Sequence, residues 1–190
     1  MHATKTLNVL SRTTIALTAL TLAACASVAP KRDANNINDT VQFNMDARFA
    51  VNYIDQGEDK SMTGKMQWED TRRATDITLS TPLGNAMAAL HVTGHEARVK
   101  TSDGRLFVEN TPEELTYRLL GYELPLSNVR QWIGTKGQPL PSADQGDWHV
   151  EYTKTFKDPS LAKRMVVTRL KPSPLTFTLI VDERSDAPGE

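Results

Sequence analysis

From Val41 to Tyr53 every second residue is apolar: Val41, Phe43, Met45, Ala47, Phe49, Val51 and Tyr53. Side chains alternate faces along a strand, so this pattern buries one face of a sheet and wets the other. A competing period runs through its start. Ile37, Val41 and Met45 recur every fourth residue, which suits a helix. The reading favours a short helix in 37–45 that yields to a strand near Ala47.

Alternation then recurs along the chain. Met62, Met66 and Trp68 share a parity opposite Ser61, Lys65, Gln67 and Glu69, after a turn at Gly57-Glu58-Asp59-Lys60. Ile77 and Leu79 mark a strand that ends at Pro82, and residues 86–92 place Ala86, Ala88, Leu90 and Val92 on one side. Ser102-Asp103-Gly104 joins strands at 96–101 and 105–109 as a hairpin. Trp148, Val150, Tyr152 and Phe156 alternate again. Strands at 164–170 and 175–181 pair around Lys171-Pro172-Ser173-Pro174, with Leu175, Phe177, Leu179 and Val181 on one face.

One segment reads clearly as helix. Thr111-Pro112-Glu113-Glu114 supplies an N-cap, a proline at the first helical position and a glutamate for a capping box. Leu115, Leu119 and Leu120 form its stripe and Gly121 its stop. A second short helix starts at Ser127 and carries Val129, Trp132 and Ile133. Residues 134–147 read as loop, and the chain after Val181 as a polar, frayed tail. The fold class is therefore mainly β (α+β): an antiparallel sheet of about nine to eleven strands with two or three short helices on its apolar face. Curling around helices covers that face and can leave an apolar cavity. A filled core gives the same periodicity.

The N-terminus fixes the location. Lys5 and Arg12 precede an apolar run from Ile15 to Ala24, too short for a membrane span. Leu22-Ala23-Ala24-Cys25 then resembles a bacterial lipobox, with small residues at the cut and a thiol to receive diacylglycerol. Residues 1–24 are the cleaved signal, 25–40 the lipidated cysteine and a polar tether, 41–182 the folded domain and 183–190 the tail. Several acyl chains on one residue give stable anchoring. Ala26 stands where an aspartate would retain a lipoprotein in the inner membrane, which points to the outer membrane, facing the periplasm.

Composition narrows the work. A net charge of −1 lacks the basic excess of a nucleic-acid binder. With Cys25 the sole cysteine of 190 residues, no intramolecular disulfide or cysteine zinc site forms. No phosphate loop or nucleophile elbow is present. His91 and His95 share parity, but on a strand they stand about 13 Å apart, so a shared metal would need a sharp bend. They read as solvated strand-end histidines, and His149 as a residue of the polar face. No catalytic residues, metal or cofactor are expected; the chain does not read as an enzyme.

Ser80-Thr81-Pro82-Leu83-Gly84-Asn85 is a tight turn with a leucine at its tip. A leucine there ordinarily folds back on the core. The other reading is an exposed apolar finger that meets a membrane or a partner's lipid.

Six segments in order, behind the lipobox, resemble the LolB family of outer-membrane lipoprotein receptors. They are Ala47-Arg48-Phe49-Ala50-Val51, Gly64-Lys65-Met66-Gln67-Trp68, Leu79-Ser80-Thr81-Pro82-Leu83-Gly84, the helix 112–120 with Gly121, Leu124–Gly134 and Gly146–Tyr152. Ala47 replaces the family's usual glycine. The resemblance implies an incomplete antiparallel barrel whose helices close its mouth over an apolar cavity. It implies a monomer that takes acylated lipoprotein cargo from the periplasmic carrier LolA and releases it into outer-membrane lipid. It also implies a projecting Leu83, with Pro82 and Gly84, as the membrane-targeting loop. Alternation makes Phe49, Val51, Met66, Trp68, Leu79, Trp132, Trp148, Tyr152 and Phe177 the candidates for the acyl-chain cavity. A lipocalin-like lipoprotein with a small apolar ligand, or a structural envelope lipoprotein with a filled core, would carry the same alternation.

Overall fold

The computed structural model describes residues 40–169, 171 and 173–186. The expected signal segment, Cys25 and the expected tether before residue 40 lie outside them, as do Leu170, Pro172 and 187–190. Among the described residues ten strands make one antiparallel sheet: β1 (Phe43–Asp55), β2 (Glu58–Asp70), β3 (Ala74–Ser80), β4 (Ala86–Thr93), β5 (Ala97–Thr101), β6 (Leu106–Glu109), β7 (Asp144–Gln145), β8 (Trp148–Thr155), β9 (Ala162–Arg169) and β10 (Leu175–Asp186). Their spatial order is β6-β5-β4-β3-β2-β1-β10-β9-β8-β7. The sheet does not close, because β6 and β7 are its two edges. Two helices, α1 (Pro112–Leu120) and α2 (Leu126–Trp132), connect those edges in sequence.

The helices bury Leu115, Val129, Trp132 and Ile133 in the core that the sheet's apolar face also forms. Thr111 Oγ1 accepts the Glu114 N–H at 3.1 Å, and Glu114 answers by accepting the Asn110 N–H. Glu113 accepts the Ser127 N–H at 3.0 Å, and Thr116 accepts the Leu124 N–H at 2.9 Å. These side chains satisfy orphan backbone donors and lock α1 and α2 into one unit.

Antiparallel order puts the β1–β2, β3–β4, β5–β6, β7–β8 and β9–β10 turns at one end, the upper rim. Phe43 and Asp186, paired with each other, mark the lower rim.

Five expectations need correction. Met45 is buried in β1, opposite both Trp68 and Arg184, so β1 starts at Phe43 and not near Ala47. Ladders on both sides outweigh the four-residue period. The first hairpin turns at Gln56 and Gly57, with φ of 53° and 83°, and Glu58 to Lys60 belong to β2. That pair of positive φ values matches the twist of the flanking strands. The loop 134–147 contains β7, and α2 begins one residue early, at Leu126. The polar tail continues β10 as far as Asp186. Its register slips by one residue at Asp46/Ala47, which leaves Asp182 unpaired in the ladder and turns Arg184 inward against Met45.

An apolar interior and a projecting leucine as the candidate functional site

Leu83 is 91% exposed. The turn below it explains why. Thr81 O accepts the Gly84 N–H at 2.8 Å, Asn85 O accepts the Thr81 N–H at 2.8 Å, and Thr81 Oγ1 accepts the Asn85 N–H at 3.1 Å. Pro82 presets one dihedral, and Gly84 takes φ 92°, a value that a side chain would strain. The backbone is thus fixed from both sides, and the leucine between Pro82 and Gly84 points to solvent rather than back to the core.

The nine expected cavity residues fall within one continuous apolar interior. Phe49, Val51, Met66, Trp68, Trp132 and Phe177 are buried, while Leu79, Trp148 and Tyr152 are partly buried. Trp132 is fully enclosed beneath the sheet. Its indole N–H donates to Gln145 Oε1 at 2.8 Å, and its ring lies 6.2 Å from that of Trp148. Trp68 donates to Asp70 at 2.6 Å, and Thr75 also bonds that carboxylate. Each indole is therefore held by a hydrogen bond while its ring faces the core.

Sequence reasoning missed the polar atoms in this interior. The hydroxyls of Tyr122 and Tyr152 and Nε of Arg169 are buried with no hydrogen-bond partner among the described residues. Burial pushes both tyrosines above their ordinary pKa. Arg169 carried a legible signal: it shares the inward parity of Met165 and Val167.

Other expected features lie elsewhere. His91 contacts Asp76 and His149 contacts Asp144, each at 2.7 Å, while His95 sits in the turn after β4. A cleft of about 560 Å³ opens at the lower rim by the β8–β9 turn, lined by Phe156 and Leu161 with Lys154, Lys157, Lys163 and Arg184. It includes none of the nine expected residues.

Relatives share this sequence through most of its length. A protein from Cupriavidus taiwanensis described as outer-membrane lipoprotein LolB is 29% identical over 190 residues, covering 87% of this chain and 92% of its own. One from Dechloromonas aromatica with the same description is 29% identical over 175 residues, covering 83% and 90%. A solved LolA superfamily protein from Nitrosomonas europaea overlays with a TM-score of 0.45 at 7% identity, over 83% of this chain and 91% of that one, too loose a likeness to carry function. The profile of the family described as "Outer membrane lipoprotein LolB" matches residues 41–183, from the lead-in to β1 through most of β10, and the chain belongs to that family.

Proposed function

We propose that this chain receives acylated lipoproteins from the periplasmic carrier LolA, holds their acyl chains in the apolar interior between sheet and helices, and releases them into the outer membrane. Family membership gives the coarser role, lipoprotein localisation at the outer membrane without catalysis. The observation that carries the finer reading is the fixed projection of Leu83 from the upper rim of an apolar interior.

Each methylene left in water costs about 0.8 kcal/mol, so acyl chains must cross the periplasm shielded. Hand-over without an energy source runs downhill, each site holding the chains better than the last and the bilayer best. A lipid anchor on Cys25 keeps the receptor beside the bilayer. Leu83 enters the leaflet and couples release to insertion. Phe49, Val51, Met66, Trp68, Leu79, Trp132, Trp148, Tyr152 and Phe177 provide the apolar surface for the chains. The protein works as a monomer.

Leu83→Glu tests this reading. Cargo release into vesicles should fall steeply while binding of an apolar fluorescent probe is retained. Unimpaired release by the variant would remove Leu83 from the mechanism.

A further inference from the structure

We infer that the inner face just below the upper rim binds the carbonyl groups at the polar head of an acylated cysteine, with Arg169 and Tyr122 as hydrogen-bond donors. This rests on the receptor reading and adds the polar half of the ligand to it.

Register builds the site. Tyr53 pairs with Leu175, Leu175 with Arg169 and Arg169 with Trp148, so these residues form a row across β1, β10, β9 and β8. Tyr122 joins the row by packing on Tyr53, with ring centroids 4.8 Å apart. The next row inward, Val51-Phe177-Val167-Val150, is wholly apolar and buried. A band of polar atoms at the mouth above an apolar interior matches a lipid-modified cysteine: ester and amide carbonyls at one end, hydrocarbon at the other.

Two buried polar atoms here, the Tyr122 hydroxyl and Arg169 Nε, are unmatched among the described residues. Arg169 is 8% exposed, and its buried Nε has no hydrogen-bond partner among the described residues. Its guanidinium rests 4.9 Å from the Trp148 ring centre. The Tyr122 hydroxyl is equally orphaned. Buried donors without acceptors destabilise a fold, and a buried charge without a counterion does so more. Methionine at 169 and phenylalanine at 122 would serve the fold alone better. A guanidinium only donates, so its ligand must accept. A neutral carbonyl enters such an interior with less desolvation than a phosphate does. A single guanidinium can donate to more than one carbonyl, as a molecule with two esters and an amide requires.

The test is native mass spectrometry of the full lipidated chain in detergent. The probes are a triacylated cysteinyl peptide with ester-linked chains and its ether-linked analogue, mixed in equal amounts. The wild-type chain should carry the ester form several-fold more often. Arg169→Met should bring the two forms to parity, and Tyr122→Phe should reduce the preference. Thermal unfolding of both variants should match or exceed wild type, which separates ligand loss from misfolding. Equal binding of both probes by wild type, or a preference that survives Arg169→Met, overturns the inference and leaves the receptor reading standing. Binding of neither probe overturns both.

Discussion

The Arg130 guanidinium lies 3.9 Å from the centre of the Phe43 ring, tying α2 to the first residue of β1. Arg184 approaches the same ring at 5.2 Å and donates to the carbonyls of Ile133 and Gly134 at 2.9 and 3.2 Å. Arg130 also pairs with Asp70 at 3.3 Å and Asp186 at 3.4 Å. The end of α2 is thus clasped to β1, β2 and β10 at the lower rim, the end opposite Leu83.

Arg130→Ala should lower stability by about 1–2 kcal/mol, the scale of a partly desolvated cation–π contact. Arg130→Lys should recover only part of that, because an ammonium neither stacks on Phe43 nor spans two carboxylates as a planar fork. Denaturant unfolding measures both, and full recovery by lysine would show that charge alone holds the clasp.

Gly64 sits where β2 crosses Phe49. A methyl there would come within 2.8 Å of the Phe49 ring and collide with the Ser80 carbonyl. The carbonyl belongs to the backbone and cannot swing aside. Gly64→Ala should therefore destabilise by about 1–3 kcal/mol, as overpacking does. A variant with wild-type stability would mean that β3 moves away without cost.

How much of this was legible follows the inward parity. Where inward residues are apolar, as in β1 from Ala47 and in β10 up to Val181, alternation finds the strand. It fails where polar side chains face inward. Arg184 turns in at a bulge and binds carbonyls of the α2 C-terminus, so the end of β10 reads as a tail. Arg169 is hard to recognise as an inward residue for the same reason, although it shares the parity of Met165 and Val167. Thr111 and Glu114 foretold α1 because capping is local chemistry. The exposure of Leu83 was not decidable from local pattern. It depends on hydrogen bonds across the turn, and only the family resemblance pointed the right way.

Tyr122→Phe should leave stability unchanged or raise it by up to about 1 kcal/mol, because it removes a buried hydroxyl that has no partner. Its ring contact with Tyr53 remains. A loss above that size in thermal unfolding would reveal an acceptor for the hydroxyl in the unliganded protein.

Asp182 accepts two hydrogen bonds from Arg48 Nε and one from Nη2, which hold its pKa below the ordinary 3.8. A carboxylate depressed in the folded state stabilises it above the unfolded pKa. That contribution is present above about pH 3.8 and fades as pH falls from there through the lower folded value. Both side chains are well exposed, so the effect is under about 1 kcal/mol. Asp182→Asn should lower stability slightly at neutral pH and flatten its decline in acid. An identical acid profile for variant and wild type would place the proton linkage elsewhere.

The proposed transfer of acylated cargo from a carrier, through this chain, to a membrane is open to direct observation. The direct measurement mixes the lipid-anchored protein in vesicles with a purified LolA–lipoprotein complex and follows the cargo by co-purification and flotation. Cargo should leave the carrier, appear transiently on this chain, and end in the vesicles. Cargo that stays on the carrier, while a known receptor withdraws it under the same conditions, would show that this chain is not the receptor.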